Sequence, residues 1–239
     1  MNKKQKIKHK IYDVVIYGSG LTAKLTCLYV TSIGLSVIWI SDNKTSKIND
    51  TRTTMLSPKS IEFINEQDLL LGIFSDLPPT KNIFVSSGEN KNFVKLSNDD
   101  NQSPLAWLIE NKILNKSLDS KLGVLNKNKR LSIVHDSLLD VNFGDAYAKL
   151  SLTKGKNILA SLVIAADGSS SSLRGMAKIK TFTMETEKQG MIGTIRHNSS
   201  HPYTSWQKFS NKSIIALLAM KNDKKYGFHS LHVHCIVSL

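Results

Sequence analysis

The sequence predicts an α/β fold in which a parallel sheet carries a ligand cradle and a second sheet stands apart from it. Three observations predict this. Ile11 to Asp42 reads as strand, tight turn, helix and strand within about 30 residues, the length of a βαβ unit. A later, continuously apolar run, Leu162-Val163-Ile164-Ala165-Ala166, ends in Asp167-Gly168. That composition suits a central parallel strand covered on both faces. Strand-like patterns then resume from Gln189 and continue through Ala219.

The first stretch sets the organisation. Val14-Val15-Ile16-Tyr17 leads into Gly18-Ser19-Gly20, and a helical pattern follows through Ala23, Leu25, Cys27, Leu28 and Val30. After Gly34 comes a second apolar run, Val37-Ile38-Trp39-Ile40. Gly18 permits the tight turn, and Gly20, lacking a Cβ, lets the backbone approach a pyrophosphate. The helix N-terminus offers unspent N–H groups and the positive end of the helix dipole. Ala23 fills the third position of the glycine fingerprint, where close helix–strand contact needs only a small residue. Asp42 lies about 20 residues past the glycines, where a carboxylate accepts hydrogen bonds from an adenosine ribose. The stretch therefore reads as a dinucleotide-binding unit, with a ligand-free structural turn as the alternative.

Asn43 to Thr51 is polar and loop-like. Ser57 is a candidate N-cap with Pro58 at the first helical position, and Ile61, Ile64 and Leu69 are its apolar positions. Arg52, two residues after Asp50, can offer paired donors to phosphate or substrate oxygens, or can be an exposed loop arginine. Ile83-Phe84-Val85 and Phe93-Val94-Lys95-Leu96 read as strands of a hairpin centred on Gly88. Leu105 to Leu122 reads as a helix with Leu105, Leu108, Ile109, Leu114 and Leu118 on one stripe, and Trp107 on or near that face. Leu131 to Val134 is a short strand, and Val141 to Leu152 is a hairpin broken at Gly144-Asp145.

In an open α/β sheet, ligands bind beyond the carboxyl ends of the strands, which places Asp167 and Gly168 well for ligand contact. Ser171 and Arg174 either reinforce that turn or meet phosphate oxygens. A capped structural turn is the alternative for the whole segment. Near the end, His232 and His234 share a strand face, but no fourth ligand at a familiar spacing accompanies them, so no metal site is expected.

Composition narrows the classes. In 239 residues there are 32 Lys and Arg against 19 Asp and Glu, a formal charge of +13. A cluster at Lys3, Lys4, Lys6, Lys8 and Lys10 is read as a solvated terminus, with attraction to an anionic lipid surface as the alternative. No aromatic interleaving supports nucleic-acid binding. Two distant cysteines, Cys27 and Cys235, make no disulfide framework and fit a reducing interior. No apolar stretch approaches the 18 or so residues of a membrane span, and no signal-peptide core follows the basic start.

Three stretches in order resemble the flavoprotein aromatic hydroxylases of the para-hydroxybenzoate hydroxylase fold: Gly18-Ser19-Gly20 with Ala23, Asp50 and Arg52 with Leu56-Ser57-Pro58, and Asp167-Gly168 with Ser171 and Arg174. The similarity is strongest to the ubiquinone-biosynthesis hydroxylases. It is carried further by Pro104 to Asn111, Thr194 to His197, Trp206 to Phe209 and Ile215 to Leu218. The resemblance implies a Rossmann-like FAD-binding layer over 11–180, to which 76–104 adds substrate-side strands. It implies part of a substrate-binding sheet over 181–239. Gly18, Gly20 and Ala23 would hold the FAD pyrophosphate, Arg52 the flavin side, and Asp167 and Gly168 the motif shared between FAD and NAD(P)H. NAD(P)H or another electron donor and dioxygen would be co-substrates, and the substrate a polyprenylated aromatic ring. No side-chain nucleophile is implied, and no catalytic residue is assigned. The setting implied is the cytoplasm, with peripheral contact at the inner face of the membrane.

The sequence departs from the family in two places. The ribose-binding acid aligns with Ser41, so Asp42 comes one place late and serves only if the strand has ended by then. A further Gly-Asp motif and a C-terminal helical region of the family are not found. The expectation is therefore a C-terminally incomplete flavoprotein, complemented by a downstream polypeptide or a ubiquinone-biosynthesis complex. The alternatives are a non-catalytic remnant and another dinucleotide-dependent oxidoreductase.

Overall fold

The computed structural model describes residues 10–42, 50–70, 72, 74–88, 92–100, 103–186, 188–197, 203–220 and 229–238. In chain order the elements are β1 (Ile11–Tyr17), α1 (Leu21–Ser32), β2 (Val37–Ser41), β3 (Thr53–Leu56), α2 (Pro58–Glu66), β4 (Pro79–Thr80), β5 (Asn82–Ser87), β6 (Phe93–Leu96), β7 (Ala106–Glu110), α3 (Asn111–Lys127), β8 (Leu131–His135), β9 (Leu138–Phe143), β10 (Ala148–Leu152), β11 (Asn157–Ala165), α4 (Ser172–Met176), β12 (Lys188–His197), β13 (Thr204–Phe209), β14 (Ser213–Ala219) and β15 (His229–Ser238). A short 3-10 turn covers Phe74–Asp76. The fold is mixed α/β. The chain divides into two compact units, residues 1–48 with 118–182 and residues 49–117 with 183–239.

The first unit holds a six-stranded sheet in the order β8-β2-β1-β11-β10-β9. Strands β8, β2, β1 and β11 run parallel, and β10 and β9 return antiparallel. Side chains alternate across a strand, so each apolar run feeds two cores. One face contributes Val15, Tyr17, Ile38 and Ile40 to a cluster with Val141, Leu150, Leu152, Ile158 and Leu173. The register pairs Val14 with Val37 and Ile16 with Trp39 on the opposite face. Helix α1 packs on β1 and β2 and buries Ala23, Cys27 and Leu28. Lys24 in α1 reaches Asp119 in α3 at 2.7 Å.

Strand β11 is central, but differs from expectation along its length. Its first half pairs β10 antiparallel from Asn157 to Ala160, and its second half is paired only with β1 among the described residues. Leu162 is accordingly 52% exposed. The run is apolar throughout, yet coverage stops where its second neighbour stops.

The second unit contains a sheet in the order β12-β15-β14-β13-β5-β6 and a small sheet β3-β7-β4. The Ile83 and Phe93 strands form the expected antiparallel pair, with Gly88 at φ +69° beside the turn. Strand β5 runs parallel to β13. Helix α2 begins as read: the Ser57 hydroxyl accepts from Ser60 N at 3.3 Å, Pro58 takes the first position, and Ile61 and Ile64 are buried.

The helix expected over Leu105 to Leu122 is corrected. Ala106–Glu110 is the middle strand of the small sheet, and the helix begins at Asn111. Ala106, Leu108 and Ile109 are buried there. A short apolar run fits either period, and pairing to β3 and β4 decided it. Trp107 sits on that strand and packs against Phe74 with ring centroids 5.5 Å apart. Thr53 to Leu56 forms strand β3, directly ahead of the Ser57 cap. The basic cluster at Lys3 to Lys8 and most of the loop after Asp42 lie outside the described residues.

Candidate functional site

The first unit opens a cleft of about 470 Å³ beyond the carboxyl ends of β1, β2 and β11. It is lined by Tyr17, Gly18, Ser19, Gly20, Thr22, Asp42, Ala165, Ala166, Asp167 and Gly168. Such a cleft suits a small ligand or part of a cofactor. Of the residues singled out from sequence, Gly18, Gly20, Asp42, Asp167 and Gly168 meet around it, and Ala23 lies fully buried in the helix behind.

The two glycines do different work. Gly18 has φ +138°, and a Cβ there would fall 2.1 Å from the carbonyl oxygen of Ala166. It is glycine because the ends of β1 and β11 touch, not because a ligand needs the space. Its N–H donates to Ile40 O at 3.1 Å, and its carbonyl accepts from the buried Trp39 Nε1 at 2.7 Å. Gly20 is the N-cap of α1 with φ −83°, and a Cβ there would meet nothing within 4 Å. It supplies no capping side chain, so the first-turn N–H groups of α1 have no side-chain cap. Open space in front of a helix N-terminus is where an anion is best received.

Strand β2 stops at Ser41, and Asp42 follows it and lines the cleft. The Ser19 hydroxyl donates to Asp42 Oδ1 at 2.8 Å and lies 2.9 Å from the Ser41 hydroxyl. Sequence reasoning did not single out Ser19. Its place between the two glycines was the available signal, but the contact depends on where β2 ends.

Asp167 is largely engaged by its own turn. Oδ1 accepts from Ser171 Oγ at 2.6 Å, and Oδ2 accepts from Ser172 Oγ at 3.3 Å and Leu173 N at 3.2 Å. The Ser171 hydroxyl caps Arg174 N at 3.0 Å, and Arg174 Nη2 donates to Ser169 O at 2.8 Å. Ser171 and Arg174 therefore reinforce the turn. Gly168, at φ +90°, gives the chain its sharp exit from β11 beside the cleft.

Arg52 belongs to the second unit and is not among the residues lining this cleft. Its Nε and Nη2 donate to the two oxygens of Asp50 at 2.8 and 2.9 Å. That pairing holds the Asp50 carboxyl below its ordinary range and raises Arg52. Asn111 steadies the arrangement, donating Nδ2 to Asp50 Oδ2 at 3.4 Å and its backbone N–H to Arg52 O at 2.9 Å. Among the described residues no group of three or more His, Cys, Asp or Glu forms a metal cluster. No described helix is long and apolar enough to cross a membrane.

No family model matches the chain. It is 25% identical over 222 residues to ubiquinone hydroxylase UbiL of Rhodospirillum rubrum, covering 90% of this chain and 51% of that protein. It is 22% identical over 177 residues to the mitochondrial ubiquinone biosynthesis monooxygenase COQ6 of Drosophila melanogaster, covering 71% of this chain and 36% of that one. Among solved structures, PqsL of Pseudomonas aeruginosa, described as a probable FAD-dependent monooxygenase, superposes with TM-score 0.76 at 11% identity. That match covers 96% of this chain and 61% of PqsL. The fold is that of the FAD-dependent aromatic monooxygenases. The p-nitrophenol 4-monooxygenase PnpA of Pseudomonas putida agrees, with TM-score 0.71 at 18% identity over 95% of this chain and 57% of PnpA. The monooxygenase fold and the sequence similarity to ubiquinone hydroxylases are thus found independently. The chain spans about half the length of the ubiquinone hydroxylase it matches.

Proposed function

We propose that this chain is the FAD-binding portion of a monooxygenase that hydroxylates the aromatic ring of a polyprenylated ubiquinone precursor. One observation carries the reading: a single cleft gathers an uncapped helix N-terminus behind Gly20, a carboxylate at the end of β2 and the Asp167-Gly168 turn. The residues fit a dinucleotide. The open space before Gly20 is a cradle that any side chain would narrow. Among the described residues the lining holds no lysine or arginine, and N–H groups and the helix dipole would meet the pyrophosphate.

In this reading Gly18 shapes the turn, Gly20 and the first turn of α1 hold the pyrophosphate, and Ala23 lets the helix sit close to the sheet. Asp42 accepts from the adenosine ribose. Asp167, locked by Ser171 and Leu173, fixes the backbone of Gly168 as a rigid wall. Arg52, oriented by Asp50, is assigned to the flavin side. FAD, once bound, supplies the redox and oxygen chemistry, with NAD(P)H or another donor and dioxygen as co-substrates. The chain's own contribution is to bind, orient and keep out water. The 11–180 region carries the cofactor with strands from 76–104 beside the substrate, and 181–239 supplies part of the substrate sheet. The basic N-terminus favours peripheral contact with an anionic inner membrane face.

A second reading is favoured by strand β12, whose ten residues include no buried side chain. This fits a subunit of a split flavoprotein that acts only with a complementary polypeptide. Purified chain, alone and co-expressed with the product of the downstream reading frame, separates the two. A flavin absorption spectrum and ring hydroxylation by the chain alone support the first. Flavin uptake only on co-expression supports the second. No flavin in either preparation overturns both.

A further inference from the structure

The acid of the cleft arrives one residue later than the family pattern places it, and the structure shows what stands in its place. Ser41, the last residue of β2, is buried, and its hydroxyl lies 2.9 Å from the Ser19 hydroxyl. Ser19 lies in the turn between the glycines and donates to Asp42 Oδ1 at 2.8 Å. A serine has one O–H to give, and an ionised carboxylate only accepts. Since Ser19 spends its proton on Asp42, the Ser41 hydroxyl must be the donor in the first contact. The result is a directed relay, Ser41 to Ser19 to Asp42, running from the sheet into the cleft wall.

Both serines of the relay are fixed. Ser41 pairs with His135 in the parallel register of β2 and β8, and its carbonyl accepts from Asp136 N at 3.1 Å. Ser19 is held between Gly18, which packs against Ala166, and Gly20, the N-cap of α1. Had β2 continued, alternation would have sent Asp42 to the face of Ile38 and Ile40, which is core. The strand ends instead, and the late carboxylate lines the cleft with one oxygen tied to the glycine turn.

We propose that Ser41 and Ser19 are positioning residues that aim the displaced acid Asp42 at a ribose hydroxyl, so that this chain recognises an adenosine ribose one residue out of the usual register. The proposal rests on the dinucleotide reading of the cleft. Neither serine is required to touch the nucleotide through its side chain. Their role is to fix the direction of the Asp42 carboxylate, which charge-assisted hydrogen bonds reward with discrimination.

The test compares ADP with 2′-deoxy-ADP by calorimetric titration, in the wild-type chain and in Ser41→Ala, Ser19→Ala and Asp42→Asn. Thermal melting of each variant confirms a folded protein. The wild type is expected to prefer ADP by about tenfold, the scale of one hydrogen bond to a charged group. Asp42→Asn and both serine variants are expected to lose most of that preference while still binding the deoxynucleotide. A merely structural role would weaken both nucleotides equally and leave the ratio unchanged. If the wild type discriminates and the serine variants keep the full ratio, the relay is overturned while the dinucleotide reading stands. If the wild type binds ADP with no preference, the ribose role of Asp42 is overturned. If it binds neither nucleotide, the dinucleotide reading falls and the relay with it.

Discussion

Strand β2 is apolar but for its last residue and all five of its residues are buried, whereas β12 carries Met191, Ile192 and Ile195 among polar residues and glycines and buries none of its ten. Part of the difference is composition, and the exposure of the apolar side chains of β12 follows from what surrounds them. Strand β2 lies between two parallel neighbours, with α1 on one face and a packed cluster on the other. Among the described residues strand β12 is the edge of its sheet, paired only with β15, and leaves Met191 and Ile195 exposed. An apolar run states a capacity for burial, and the second layer decides whether it is used. The cleft sits on the well-covered side of this contrast.

The contrast breaks most sharply at Gly18. Gly18→Ala is expected to cost about 3 kcal/mol or more, from positive-φ strain and a clash with the Ala166 backbone. Urea unfolding measures this. Gly20→Ala, at ordinary φ and in open space, is expected to cost no more than about 1 kcal/mol, the loss of a preferred N-cap residue, and to weaken nucleotide binding. A loss at Gly20 as large as that at Gly18 would contradict the division of labour between the glycines.

Next in size is the covered core. Leu150→Ala removes a fully buried side chain from the cluster under β1 and β2 and is expected to cost about 2–5 kcal/mol. Smaller still is the acid response of the first unit. Thr153 donates to Asp136, as do the backbone N–H groups of Ser137 and Lys154, and these bonds hold its carboxyl below the ordinary 3.8. A carboxyl lowered by folding stabilises at pH above its unfolded value, and that contribution is lost as pH falls through the folded value. Stability is therefore expected to drop below about pH 4, and Asp136→Asn to flatten that part of the curve. Smallest is the exposed edge: Met191→Ala in β12 is expected to change stability by less than about 0.5 kcal/mol. A loss of core size there would show that the edge is covered in solution.

How much was legible follows the same line. The unit from β1 to β2 could be read because its glycines, small Ala23 and two apolar runs are local signals. The Asp167-Gly168 turn was legible because a strand end and a capping serine lie side by side in sequence. Strands β3 and β7 were not, because Ala106 to Ile109 runs directly into the apolar stripe of α3 and only long-range pairing separates them. Ser19 was missed because its partners, Ser41 and Asp42, meet it only once β2 has ended. The exposure of Leu162 and of β12 was hidden because composition carries no record of a missing neighbour.

The most direct measurement maps FAD onto the amide spectrum of the ¹⁵N-labelled chain. Saturable shifts centred on Gly18 to Thr22, Asp42 and Asp167-Gly168 are the predicted result. No saturable shift there, or shifts centred on other residues, would contradict the assignment of this cleft to the cofactor.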